Sequence, residues 1–168
     1  MSTTPAQPTL PSEEKAIIDS FAKLDDKAKI AFSKKNRIKI IVSRENLVEI
    51  AKFVRDELKF DHCTNVTGTD FPKDNQLEIT YHFGSIEGEG LGRIILVVAC
   101  RIPSADPKLP SIIDVYPSVN YHERETAEMI GCVFEGHPNL SRLLLPEDWN
   151  DIPPMLKAYR LPGRLEEG

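Results

Sequence analysis

The chain has 168 residues, 40% of them hydrophobic and 28% charged, with a net charge of −5. That is enough material for one globular domain with tails. The acidic balance argues against a nucleic-acid binder, which needs a basic face, and against binding to anionic lipid by charge alone. The longest strongly apolar run, Ile94 to Cys100, falls far short of the about 20 residues that a membrane-spanning helix needs.

Residues 1–11 carry three prolines among Ser, Thr and Gln and read as a disordered tail, with neither the basic nor the apolar region of a signal peptide. Ser12 is placed to cap a helix through about Leu24, with Glu13 and Glu14 suiting its positive end. Residues 25–36 are mostly charged and show no period, so 12–36 reads as a helical and then irregular segment. The main domain is expected over 37–149. Ile38, Ile40 and Val42 alternate as in a strand. Ser43 then caps a helix to about Leu58, with Leu47, Ile50, Ala51, Val54 and Leu58 as its apolar stripe. A short strand follows near Cys63 to Thr69.

Leu77, Ile79, Tyr81 and Phe83 alternate cleanly, which predicts a strand with one polar face. Arg93 to Ile102 is apolar almost throughout, which predicts a strand covered on both faces. Gly84 to Gly92 between them reads as a hairpin loop. Residues 103–110 read as a loop, Ile112 to Tyr116 as a short edge strand, and Asn120 to Cys132 as a helix. Irregular chain follows from Val133, with 150–168 as an extended tail. The fold class is α+β: a small mixed, largely antiparallel sheet packed against helices, with an extended C-terminal tail.

Few residues offer chemistry. The glycines Gly88, Gly90 and Gly92 lead into a strand and not a helix, so they do not form a phosphate-binding turn. His62, Cys63, His82, Cys100, His122 and Cys132 include neither a Cys-x-x-Cys nor a His-x-x-x-His pair, and no iron–sulfur run. Ser85, Ser111 and Ser141 lack a nucleophile elbow. The three separated cysteines read as buried, reduced thiols of a cytoplasmic protein.

The segment Tyr121 to Trp149 is richer. Counting back four from Ala127 aims Glu123 along the packing face, where an unpaired charge is costly. Arg124 and Glu128 are four apart and able to pair, with Glu125 on the other side of Glu123. One reading is a solvated, charged helix end. The other is a carboxylate cluster that meets arginines, either Arg142 or those of a partner, as a charged lock. Gly136-His137-Pro138 reads as a turn that reverses the chain, and Pro146 as the start of a last short turn.

The runs Glu123-Arg124-Glu125, Glu128-Met129-Ile130-Gly131, Phe134-Glu135-Gly136-His137-Pro138-Asn139-Leu140 and Arg142 to Pro146-Glu147-Asp148-Trp149 resemble the signature of the C subunit of complex I-type respiratory dehydrogenases, the NADH dehydrogenase 30 kDa subunit family. Tyr121 stands where that family commonly has tryptophan, Glu128 where it has aspartate, and Ser141 where it has a second basic residue. The resemblance implies a peripheral-arm subunit with no catalytic, cofactor-binding or metal-binding residue of its own. Glu123, Arg124, Glu125, Glu128, Gly131, Phe134, Gly136, His137, Pro138, Arg142, Pro146 and Trp149 would then serve structure or partner contact. It implies partners resembling the B, D and I subunits and other peripheral-arm subunits, with iron–sulfur clusters and quinone on those partners. It further implies a place on the cytoplasmic face of the membrane, reached only through the complex. The parent would be an ion-pumping translocase passing electrons to a quinone or quinone-like carrier. Two other readings stay open: the equivalent subunit of an energy-converting hydrogenase or deazaflavin-coenzyme dehydrogenase, and a free-standing enzyme using Cys63 or His82.

Overall fold

The computed structural model describes residues 12–24, 27–88 and 90–161. The expectations for 1–11 and for the last residues of the tail lie outside these.

Helix α1 (Ser12–Ala22) is followed by strands β1 (Ala28–Lys34) and β2 (Arg37–Val42), helix α2 (Leu47–Asp56), and strands β3 (His62–Phe71), β4 (Gln76–Gly84) and β5 (Ile95–Pro103). The short strand β6 (Lys108–Pro110), helix α3 (Val119–Ile130) and strand β7 (Val133–Glu135) complete the order. The main sheet runs β1-β2-β5-β4-β3, and β6 pairs with β7 in a second, two-stranded sheet. Within the main sheet only β2 and β5 are parallel; every other pairing is antiparallel. The architecture is therefore α+β with a mixed, largely antiparallel sheet.

Alternation divides the sheet into two faces. Ile38, Ile40 and Val42 of β2, Leu96, Val98 and Cys100 of β5, and Leu77, Ile79, Tyr81 and Phe83 of β4 are all buried in one core cluster. Leu47, Ile50, Ala51 and Val54 of α2 complete it, as the helical spacing predicts, together with Ile17 and Phe21 of α1. The opposite face carries Lys39, Glu78 and Arg101 on three adjacent strands. Glu78 accepts from Lys39 Nζ at 2.7 Å and from Arg101 Nε at 2.9 Å, with its side chain 7% exposed. Burial pushes the Glu78 carboxyl up, but its two cationic partners outweigh this and hold it below the ordinary value. The polar face predicted for β4 thus exists, with a tied and buried carboxylate on it.

Several elements differ from the sequence reading. Residues 28–34, which showed no period, form β1, so the sheet starts ahead of Arg37. Ser43 precedes a single 3-10 turn, Arg44–Asn46, and makes no side-chain cap bond. Residues 113–115 are a turn closed by Ile112 O, which accepts from the Val115 and Tyr116 amides, so no edge strand forms there. The strand lies earlier, at β6, inside the predicted loop. It pairs in parallel with β7, which was read as irregular chain. Helix α3 stops at Ile130 because Gly131 takes φ 80°, the left-handed region that favours glycine. A Cβ on Gly131 would also sit 3.0 Å from Pro153. At Gly68 of β3 the missing side chain lets α3 approach: a Cβ there would lie 2.9 Å from Ile130 Cγ2. The glycine segment does join β4 to β5 as a hairpin, and Asp61 accepts from the Ile86 and Glu87 amides in it.

Candidate functional site: a latched loop on helix α3

Helix α3 presents the signature residues in three directions. Glu123 faces inward and is fully buried. Its Oε2 accepts from Ser111 Oγ at 2.5 Å; its Oε1 accepts from the Ile112 amide at 3.1 Å and from Tyr81 Oη at 3.3 Å. Burial pushes the carboxyl up to about 7, against the opposing pull of the Ser111, Ile112 and Tyr81 hydrogen bonds. No arginine pairs with Glu123 among the described residues; neutral donors replace the charged partner that the sequence suggested. Ser111 and Tyr81 were not foreseen as its partners, because neither spacing nor charge links them to it.

The outward charges do not pair with one another either. Arg124 and Glu128 point to the loop that follows β7. Arg124 Nε donates to Ser141 O at 3.1 Å, and its Nη2 donates to Ser141 Oγ at 3.1 Å and Arg142 O at 3.2 Å. Glu128 accepts the successive amides of Leu143, Leu144 and Leu145 at 3.0, 2.9 and 2.9 Å. Burial raises the Glu128 carboxyl, but the three amides and the nearby Arg142 charge outweigh it and hold the pKa below the usual range. Arg142 in turn donates to Pro146 O and Glu147 O, both at 2.8 Å, and to Trp149 O at 2.7 Å.

Residues 139–152 contain no helix or strand, so their backbone groups need partners from elsewhere. Two arginines and a glutamate supply many of them. The expected charged lock does not form among the described residues: no carboxylate of this segment pairs with Arg124 or Arg142, and the charged side chains fasten main chain instead. Glu125 is exposed and lines a small cleft with Val66, Thr126 and Met155.

The remaining signature residues complete the latch. Phe134 of β7 is buried. Gly136, at φ 84°, turns the chain. His137 follows: its Nε2 lies 3.2 Å from Asn120 O and its Nδ1 accepts from the Asn139 amide at 3.1 Å, which ties the turn to the start of α3. Pro138 is exposed beside it. Pro146 O also accepts the Trp149 amide at 3.1 Å, which closes the predicted last turn. The Trp149 ring lies 5.7 Å from that of Tyr159.

The following residues lie against this chain's own domain. The Met155 amide donates to Met129 O at 2.9 Å, and the Lys157 amide donates to Asp70 Oδ2 at 2.8 Å. Leu143 and Leu144 are left 38% and 59% exposed.

Catalytic pairings are poorly served. Cys63 and His82 lie on opposite faces of the sheet and cannot act as nucleophile and base together. Burial pushes the Cys63 and Cys100 thiols up to about 12, and Cys132 is raised too, which disfavours thiolate chemistry. Among the described residues no group of three or more His, Cys, Asp or Glu could hold a metal ion. No described helix is long and apolar enough to cross a membrane.

Comparison with known proteins supplies the context. The family of the "Respiratory-chain NADH dehydrogenase, 30 Kd subunit" matches residues 40–165. The C subunit of the NADH-quinone oxidoreductase of Streptomyces coelicolor is 40% identical over 126 residues, 73% of this chain and 48% of that protein. The chain thus spans about half the length of such relatives. The C subunit of the F(420)H(2) dehydrogenase of Methanosarcina mazei is 34% identical over 123 residues, 73% of this chain and 75% of that protein. Among solved structures, a trypsin-resistant fragment of Nqo5 superposes with a TM-score of 0.62 at 26% identity, over 76% of this chain and 98% of that one. A chain of the archaeal membrane-bound sulfane sulfur reductase has the same fold, with a TM-score of 0.67 at 22% identity over 84% of this chain and 80% of that one. The chain belongs to the respiratory-chain NADH dehydrogenase 30 kDa subunit family, which provides the C subunit of complex I-type NADH-quinone oxidoreductases.

Proposed function

We propose that the chain is a non-catalytic scaffold subunit in the peripheral arm of a membrane-associated, ion-pumping complex I-type dehydrogenase that passes electrons to a quinone or quinone-like carrier. Its partners are chains resembling the B, D and I subunits, which carry the iron–sulfur clusters and the quinone site; this chain carries no cofactor. It reaches the cytoplasmic face of the membrane through them. The observation behind this reading is the latch. Arg124, Glu128 and Arg142 satisfy main chain of 141–149 and so hold Leu143 and Leu144 outward in one conformation. A pre-ordered apolar display loses little entropy when a partner covers it. The tail beyond residue 150 would extend the same contact.

The test separates assembly from turnover. Arg142→Ala removes three hydrogen bonds, each worth about 0.5–1.5 kcal/mol net, and loosens the display. Arg142→Ala and Arg124→Ala are expected to lower the amount of assembled complex on native gels, while turnover per assembled complex stays near wild type. Normal assembly with collapsed turnover would instead assign these residues to electron or proton transfer. A second reading, a subunit of a deazaflavin-coenzyme dehydrogenase, is favoured by the Methanosarcina mazei match. The subunits that co-purify decide between them, and would equally reveal an energy-converting hydrogenase.

A further inference from the structure

We propose that the sheet face around Phe32 is a second docking surface, fitted to a protein segment that carries carboxylates around an exposed apolar side chain. The chain is acidic overall, at −5, yet residues 27–39 hold six lysines and arginines and no acidic residue. The register gathers much of this charge on one face. A bulge between Ile30 and Phe32 places Phe32 opposite Lys39, and the pairings Lys29↔Ile41, Lys34↔Arg37 and Arg37↔Ile95 bring their side chains to that same face. It is the face opposite the helix-packed core. Phe32 and Ile95 are each 40% exposed there, and Lys34 Nζ lies 5.8 Å from the Phe32 ring. Lys29, Lys34 and Arg37 are exposed and pair with no carboxylate among the described residues. The buried carboxylate of this face, Glu78, is already held by Lys39 and Arg101.

The surface is also held in shape. At the turn between β1 and β2, Asn36 adopts φ 63°. Its amide donates to the buried Glu14 carboxylate of α1, and its carbonyl accepts from the Ile95 amide at 3.0 Å. The cationic corner is thus tied to α1 on one side and β5 on the other, so binding orders little.

Phe32 on β1 and Ile95 on β5 flank Arg37 and Lys39 of β2, and apolar side chains interleaved with cations suit a protein interface in which charge complementarity selects an acidic partner. The apolar pair lies flat on a sheet and does not project from a loop, which disfavours insertion into a bilayer. Three cations that pair with no carboxylate among the described residues are too few for the phosphate contacts that nucleic-acid affinity requires. Most of this surface lies ahead of residues 40–165, the part matched by the family, so the latch on α3 does not account for it.

The experiment uses the full chain in cells that contain its partners. A photocrosslinking benzoylphenylalanine replaces Phe32, and in parallel Leu144. The expected result is a crosslink from position 32 to a protein stretch rich in Asp and Glu. Its yield should fall as salt rises, and fall on the order of ten-fold when Lys29→Glu, Lys34→Glu and Arg37→Glu are combined. The purified triple variant should melt like wild type; if it does not, the corresponding alanine variants are used. Crosslinking to lipid, nucleic acid or a neutral or basic stretch, or no crosslink at position 32, overturns the proposal. The Leu144 probe reads the contact proposed above for the α3 latch, so failure of one surface is distinguishable from failure of the other.

Discussion

Replacing Glu123 by Gln should flatten the pH dependence of stability in a calculable way. The carboxyl is fully buried and its pKa rises from an ordinary 4.5 to about 7. The folded state therefore binds the proton more tightly than the unfolded chain between these values. Stability from this group is fully present below the unfolded pKa and is lost as pH rises through about 7. A gap of this size corresponds to about 3 kcal/mol, of which about 2.5 kcal/mol is lost between about pH 5 and about pH 8.

Glutamine keeps the shape and mimics the protonated acid. Its carbonyl can accept from the Ile112 amide and Tyr81 Oη, and its amide can donate to Ser111 Oγ, which also accepts from the Ile113 amide. The Ser111 proton then loses its partner, a constant cost of about 1 kcal/mol. Urea unfolding of wild type and Glu123→Gln at several pH values measures the difference, in which the contributions of the four histidines cancel. The variant should gain on wild type by about 2.5 kcal/mol as pH rises over that range. A difference that stays constant would mean that the three hydrogen bonds keep Glu123 ionised throughout, and the dominance of burial would be refuted.

Three further outcomes follow from the geometry. Glu128→Ala should free the amides of Leu143, Leu144 and Leu145 and speed limited proteolysis within 141–149, with the global unfolding free energy changed by less than about 1 kcal/mol because the loop is exposed. Gly68→Ala should cost about 1–3 kcal/mol in urea unfolding, since the new methyl meets Ile130 at 2.9 Å and α3 must move. Metal analysis and a visible spectrum of the pure native chain should show no stoichiometric metal or chromophore; either one would refute the cofactor-free assignment.

Much of the sheet was legible because its strands have contrasting patterns. The alternation from Leu77 to Phe83 and the continuous apolar run of β5 specify neighbouring strands, and the glycines between them specify the hairpin. Glu123 was correctly aimed inward by counting from Ala127. Strand β1 was hidden because it is an edge strand: lysines that protect an open edge erase the hydrophobic period. Strands β6 and β7 are three residues each and are joined through α3, so nothing local signals their pairing. Pro110 argued against a strand, yet edge positions accept proline. The partners of Arg124, Glu128 and Arg142 were missed for a different reason. A sequence displays its charges, so charge is matched with charge. The unmet needs of an irregular main chain appear only once its path is known.

The Lys39–Glu78–Arg101 cluster also acts as a key for strand alignment. It joins β2, β5 and β4, and the register places these three residues on one face. A slip of β4 by one residue would turn every side chain over. Ile79 would leave the core, and Glu78 would enter it without its two cations, a fault worth several kcal/mol. Hydrophobic alternation already penalises such a slip, because it moves the whole apolar set of β4 out of the core. The carboxylate adds one large penalty of a different kind, an unpaired buried charge, so the register is specified by charge as well as by apolar pattern.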